Sequence, residues 1–231
     1  MKIIIGAMEE ELSTFVKDIN AKPVNDSIIN EYYSEELDTI VAWVGIGISN
    51  ASTGLSYLLA KYNNTNNIEF VINAGTACGV NAKLKQNDFV IVDSAYYSTA
   101  DATAIGYKYG QVPQMPISYQ ADVEIEANLA KAIQEDKQKH VVVGSTATSD
   151  VFFSNQEQVD VYINRLNEPI LIAEMECAAF FQTAYIFNQK IGALKIVSDV
   201  LATEEENGDQ FDAFLPKAAK ELSEVLQKLV R

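Results

Sequence analysis

Residues Pro169–Phe181 read PILIAEMECAAFF. The aliphatic run Ile170–Ala173 has the length and composition of a fully buried strand, and the stretch from Cys177 to about Asn188 is Ala-rich and aromatic, as a buried helix would be. Between them stand two carboxylates, Glu174 and Glu176, bracketing Met175. Carboxylates are seldom buried without partners. Glu176 has one ordinary explanation, since acids complement the positive end of a helix. It has another in its position, because ligands of open α/β sheets bind outside the carboxyl ends of the strands.

The same strand-then-helix alternation runs outward in both directions. Lys2–Ile5 predicts a strand, and Glu9 to about Ile19 a helix with Leu12, Phe15, Val16 and Ile19 on one face. Ser27–Tyr33 and Thr39–Val44 read as paired strands. Gly45-Ile46-Gly47 then turns into a helix from about Ser49 to Tyr62, and Asn63–Asn67 reads as a polar linking loop. The Gly-x-Gly lacks the third glycine of a dinucleotide fingerprint. Further strands are expected at Phe70–Asn73, Asp88–Tyr97, His140–Thr146 and Gly192–Val197. Further helices are expected at Asp122–Glu135, Asn155–Arg165 and Phe211–Leu229, with Thr203–Asp209 an acidic loop. The last helix would bury Phe214, Leu215, Ala218, Leu222, Val225 and Leu226. No linker, repeat or low-complexity segment interrupts this order. The expectation is an α/β fold in a single domain over residues 1–231, with a mixed, largely parallel central β-sheet flanked by helices.

Composition narrows the function. The chain has 231 residues and a formal charge of −15, which argues against nucleic acid and against anionic membrane surfaces as partners. No apolar run approaches transmembrane length, and the N-terminal run stops at acids without a cleavage-site pattern. Cys78 and Cys177 lie in apolar or small-residue contexts and read as reduced thiols of a cytoplasmic protein. With one histidine, His140, at the entry of a strand, neither a His-rich metal site nor a Ser-His-Asp triad is expected, and no cofactor is implied. The loop Ser98–Tyr119 is longer than structural connectors usually are. Its Ile105, Tyr107, Tyr109, Val112, Pro113 and Met115 would make an exposed apolar surface suited to an interface.

Three acids share one placement: Glu11 just past the first strand, Glu176 just past PILIA, and Asp199 at the end of ALKIVS. Separated carboxylates on one rim are what cleavage of a glycosidic bond needs, one to activate water and one to protonate the leaving group.

MKIIIGAMEEE, VINAGTACGV, ADATAIGYKYGQVP, IAEMECAA and KIVSDV together resemble the 5′-methylthioadenosine/S-adenosylhomocysteine nucleosidases, within the nucleoside phosphorylase superfamily, in order along the whole chain. The resemblance implies that Glu11 activates the attacking water and that Asp199, steadied by Ser198, protonates adenine N7. It implies that Glu176 binds the ribose hydroxyls and stabilises the oxocarbenium-like centre. Phe152 would stack on the base and the backbone of Phe153 would read its edge, with Thr76, Ala77 and Cys78 lining base and ribose. Met8, Ile46, Met175 and Phe211 would form an apolar pocket for the 5′-thioether, closed by Ile105 and Pro113 of a second subunit in a homodimer. The chain departs from the family pattern at Ile48 and Ser49, where a lysine is usual, at Thr76-Ala77-Cys78, at Cys177, and at Ala102 and Ile105. These changes bear on the 5′-substituent rather than on the three acids.

Three other readings are open from the residues. A phosphorolytic enzyme would need a phosphate clamp, for which arginine is favoured, and the chain has only Arg165 and Arg231. A hydrolase for another 5′-modified adenosine, of the aminodeoxyfutalosine type, could use the same acids. A non-catalytic nucleoside-binding protein would need Phe152 and Glu176 but not Glu11 or Asp199.

Overall fold

The computed structural model describes residues 1–62, 67–134, 136, 139–201 and 207–231. The expected loop Asn63–Asn67 and acidic loop Thr203–Asp209 lie largely outside them. Among the described residues, ten strands form one mixed sheet: β1 (Lys2–Gly6), β2 (Lys22–Pro23), β3 (Asn30–Ser34), β4 (Thr39–Trp43), β5 (Phe70–Gly79), β6 (Phe89–Tyr97), β7 (Tyr119–Gln120), β8 (Val141–Thr148), β9 (Ile170–Glu174) and β10 (Ile191–Val200). Their order is β10-β6-β8-β9-β5-β1-β4-β3-β2, with β7 beside β6. Because β10 also pairs with β5, five strands close into a ring, and β1 to β4 extend the sheet beyond it. The longer registers, such as β5 with β10 and β6 with β8, are parallel. The antiparallel pairings are shorter and include the β2–β3–β4 edge.

Both faces are covered, which is why strands such as KIIIG are apolar at successive positions rather than alternate ones. Ile3 and Ile5 pack into one core with Leu55, Leu58 and Leu59 of α2 (Ile48–Tyr62) and Ala178, Phe180 and Phe181 of α5 (Cys177–Phe187). Ile4, between them, belongs to the opposite core. There it joins Leu12 and Phe15 of α1 (Glu9–Asp18), Leu129 and Ile133 of α3 (Val123–Gln134), and Leu222 and Leu226 of α6 (Asn207–Val230). No helix among the described residues is long and apolar enough to cross a membrane.

Four local expectations change. β5 does not stop at Asn73 but runs to Gly79, because its small residues let β10 lie along it and β9 meet Cys78 and Gly79. The segment expected as one helix over Asn155–Arg165 is broken into α4 (Gln156–Gln158), a π turn at Val159–Ile163 and a 3₁₀ turn at Asn164–Leu166. Val159 and Ile163 are buried there beside Phe153. The long loop after β6 holds a 3₁₀ turn at Thr103–Ile105 and is braced both from within and by the later turn at Asn164–Leu166. The Tyr109 hydroxyl donates to the Ser98 carbonyl at 2.5 Å, and the Arg165 guanidinium, 2.8 Å from Asp101, lies 3.8 Å from the Tyr109 ring centre. Only Ile105 and Pro113 of its six apolar residues are exposed, the others being half-buried. Leu215, expected in the core, is half-buried too.

One irregularity bears on the site. Along β10, Val197 pairs with Ala77 but Asp199 pairs with Cys78, so Ser198 is an extra residue, a β-bulge.

Candidate active site

Where the carboxyl ends of β5, β9 and β10 meet lies a pocket of about 610 Å³, counted with its open mouth. Glu11, Glu174, Glu176 and Asp199 all line it, and none is more than 7% exposed. Each is delivered by a different piece of local structure.

Glu11 sits in the first turn of α1, where its Oε2 accepts the Met8 N–H at 3.3 Å. Its Oε1 accepts both the N–H and the hydroxyl of Thr76, at 2.7 and 2.8 Å. A Cβ at Gly75 would come within 2.7 Å of that oxygen, so the glycine is what lets the carboxylate lie on β5. Glu176 occupies the position just before α5, and its Oε1 accepts the Gly47 N–H at 2.8 Å. Asp199 follows the bulge, and its Oδ1 accepts the Ser198 hydroxyl at 2.7 Å, while that hydroxyl also lies 3.3 Å from the Ala77 carbonyl.

Glu174 is held from more sides than any of these. It accepts from the Thr148 hydroxyl, from the Thr146 hydroxyl at 3.4 Å, and from the Glu176 and Cys177 N–H groups at 3.0 and 2.6 Å. Behind it, 3.4 Å away, is the ammonium of Lys195, itself 2% exposed. Burial alone would lower the Lys195 pKa, but Glu174 and the neighbouring thiol and carboxyls of Cys177, Glu176 and Glu11 reverse this and raise it. Burial pushes the Cys177 thiol well up, helped by the charge of Glu174.

Glu176 carries the largest consequence. Its pKa is pushed up to about 8, first by burial and then by the charge of Glu174, against the opposing pull of Lys195 and of the Gly47 N–H. A carboxyl that holds its proton more tightly when folded stabilises the fold at low pH, and this contribution is lost as pH rises from 4.5 through about 8. The Glu176→Gln variant is therefore expected to be more thermostable than the parent at pH 8 and no more stable at pH 4.5. The displacement amounts to roughly 3 to 5 kcal/mol. Parallel melting-temperature curves for the two proteins from pH 4.5 to 8.5 would contradict it.

The remaining residues singled out in the sequence divide cleanly. Thr76, Ala77 and Cys78 of β5, Met8, Ile46, Met175, Ser198, Phe152, Phe153 and Phe211 all line the same pocket. The rings of Phe152 and Phe211 meet edge to face at 5.9 Å between centroids. Phe152 is 45% and Ile46 49% exposed, which puts both at the mouth. Ile105 and Pro113 do not line this chain's own pocket. Neither does either arginine: Arg165 is held by Asp101, and Arg231 lies against Gln227 at 3.5 Å. His140 is exposed and lies 3.0 Å from Asp88.

Sequence reasoning assigned no role to Glu174 and passed over Val151, Ala7, Ala173 and Lys195. Lys195 did leave a signal, a lone charge inside the apolar strand GALKIV, which demands a buried counter-charge.

The family model of the phosphorylase superfamily matches residues 2–231. A 5′-methylthioadenosine/S-adenosylhomocysteine nucleosidase of Staphylococcus aureus is 33% identical over 98% of this chain and 97% of its own. Among solved structures, the nucleosidase of Neisseria meningitidis in complex with methylthio-immucillin-A superposes with a TM-score of 0.89 at 28% identity, covering 99% of this chain and 97% of that one. A putative nucleosidase of the same kind from Borrelia burgdorferi, bound to adenine, gives 0.87 at 30% identity over 100% and 99%. With four acids gathered where the carboxyl ends of β5, β9 and β10 meet, and with likeness along essentially its whole length, the chain belongs to the 5′-methylthioadenosine/S-adenosylhomocysteine nucleosidase family of the phosphorylase superfamily.

Proposed function

We propose that this protein hydrolyses the N-glycosidic bond of 5′-methylthioadenosine and S-adenosylhomocysteine, releasing adenine and the 5′-thioribose. The observation that carries the reading is an apolar pocket with Glu11, Glu176 and Asp199 on its wall and, among the described residues, no arginine in its lining. A phosphate nucleophile would lack the planar bidentate clamp that usually holds it, so water attacks.

Adenine is a poor leaving group as an anion. Asp199 delivers a proton to N7, with Ser198 holding the carboxyl in place, so that the base departs neutral. As the bond breaks, positive charge grows on the ribosyl centre, and Glu176 stabilises it while binding the ribose hydroxyls. Ligand hydroxyls and a growing cation both favour the ionised carboxylate, so substrate binding opposes the burial that raises the Glu176 pKa and draws off its proton. Glu11 takes a proton from water as it attacks. Phe152 stacks on the base, the Phe153 backbone reads its edge, and Thr76, Ala77 and Cys78 line the base and ribose. Met8, Ile46, Met175 and Phe211 enclose the thioether. Relatives carrying the same family name support these assignments, as does the hydrogen bonding of the three acids.

The proposal includes a homodimer in the cytoplasm and one domain over residues 1–231. Ile105, 71% exposed on a braced loop, would close the partner's pocket together with Pro113. Sedimentation at micromolar concentration should give about twice the chain mass.

The test of the reaction is adenine release from 5′-methylthioadenosine, S-adenosylhomocysteine and adenosine, first without phosphate and then with it. Release without phosphate, faster for the thioethers, is the expected result. Strict dependence on phosphate would make the protein a phosphorylase, and binding without release would make it a nucleoside-binding protein.

A further inference from the structure

The turn between β4 and α2 is held by two carboxylates that come from different parts of the chain. Gly45 and Gly47 adopt φ values of +92° and +102°, which glycine tolerates, so the turn presents two consecutive N–H groups outward. The first, of Gly47, donates to Glu176 Oε1 at 2.8 Å. The second, of Ile48, donates to Asp150 Oδ1, also at 2.8 Å. Asp150 fits closely enough that a Cβ on Gly47 would lie 2.8 Å from that same oxygen.

The chain just before Asp150 is tied down as well. Ser149, just before it, donates its N–H to the Glu174 carbonyl at 3.2 Å, and the Thr148 hydroxyl reaches both Glu174 and the Ala178 N–H. Directly after it, Val151, Phe152 and Phe153 line the pocket. One carboxylate therefore spans from the aromatic wall to the turn that carries Ile46 and orients Glu176.

We propose that Asp150 is a positioning residue of the nucleoside site, fixing the spacing between the Phe152–Phe153 wall and the Gly47 N–H that aims Glu176. The proposal rests on the nucleosidase reading, since it takes the base to lie against that wall and the ribose against Glu176. Within that reading, losing the tie lets the two walls drift apart, which weakens the grip on the whole nucleoside. A helix cap alone would affect folding stability and leave substrate binding untouched.

The experiment compares Asp150→Ala and Asp150→Asn with the parent, measuring adenine release from 5′-methylthioadenosine, melting temperature, and hydrogen–deuterium exchange at Gly47 and Ile48. The alanine variant should raise KM about tenfold, from the loosened grip on base and ribose, and lower kcat at least several-fold, because the Gly47 N–H then aims Glu176 less well at the growing charge. It should also speed exchange at both amides. The asparagine variant keeps an oxygen that can accept the Ile48 N–H and should restore KM and exchange together. If Asp150→Ala does not fold, Asp150→Ser, whose hydroxyl stops short of Ile48, is read in its place.

An alanine variant with KM within about twofold of the parent and only a lower melting temperature would reduce Asp150 to a cap and overturn the proposal. So would an asparagine variant as impaired as the alanine one. If the parent releases no adenine, it is the nucleosidase reading that fails. Calorimetric binding of 5′-methylthioadenosine then decides the positioning role, which requires weaker binding in the alanine variant and parental binding in the asparagine one.

Discussion

Asp199→Asn is expected to lower kcat for adenine release by about three orders of magnitude, the middle of the range for general acid catalysis, with KM little changed. The size follows from the leaving group. Without a proton at N7 the base must depart as an anion, and the described lining holds no lysine, arginine or histidine to stabilise one. The geometry makes the variant a clean one. Ser198 donates to Asp199 Oδ1 at 2.7 Å, and the amide oxygen of asparagine accepts the same bond. The buried shape is kept while the transferable proton is lost. The check is steady-state kinetics beside a thermal melt, and an unchanged kcat in a folded Asp199→Asn protein would remove Asp199 from the mechanism.

Glu11→Gln is expected to have an effect of the same order on kcat, again about 10² to 10⁴-fold. The amide oxygen that replaces Oε1 can still accept the Thr76 N–H and hydroxyl, so the side chain stays on β5. It can no longer take a proton from water. Gly75→Ala provides the complementary variant. Its new methyl would fall 2.7 Å from Glu11 Oε1, and the carboxylate, being the end of a flexible side chain, would yield before the strand does. Stability should change little while kcat falls at least about tenfold, because small misplacements of a catalytic group are costly. Full activity in Glu11→Gln would mean that another group activates the water.

Much of this molecule was legible before its structure. β1, β4, β9, α1 and α5 fall within two residues of their expected bounds because each carries an uninterrupted apolar pattern over its full length. Glu11, Glu176 and Asp199 were singled out by their placement at strand ends, and the fold brings all three to one pocket. What escaped depends on partners far away in the chain. β5 looked finished at Asn73 because Ala74–Gly79 carry no strand propensity of their own, and only pairing with β9 and β10 extends it. Glu174 and Lys195 belong to different strands with a whole helix between them, and they meet only because those strands share the closed ring. The apolar loop read as exposed is half-covered because Val112 and Met115 pack against a core built from distant strands and helices, and Arg165, from a later turn, lies on Tyr109.

The extra residue at Ser198 gives the acid's location an arithmetic character. Side chains along a strand alternate between faces, so adding or removing one residue inverts everything beyond it. With Ser198 present, Asp199 stands opposite Cys78 and shares the side of Thr76, against which Glu11 rests. In an unbulged ladder Ser198 would stand opposite Cys78 and the aspartate opposite Gly79, on the other side, with every residue type at the site unchanged. Parity, as much as chemistry, is thus inherited in this stretch.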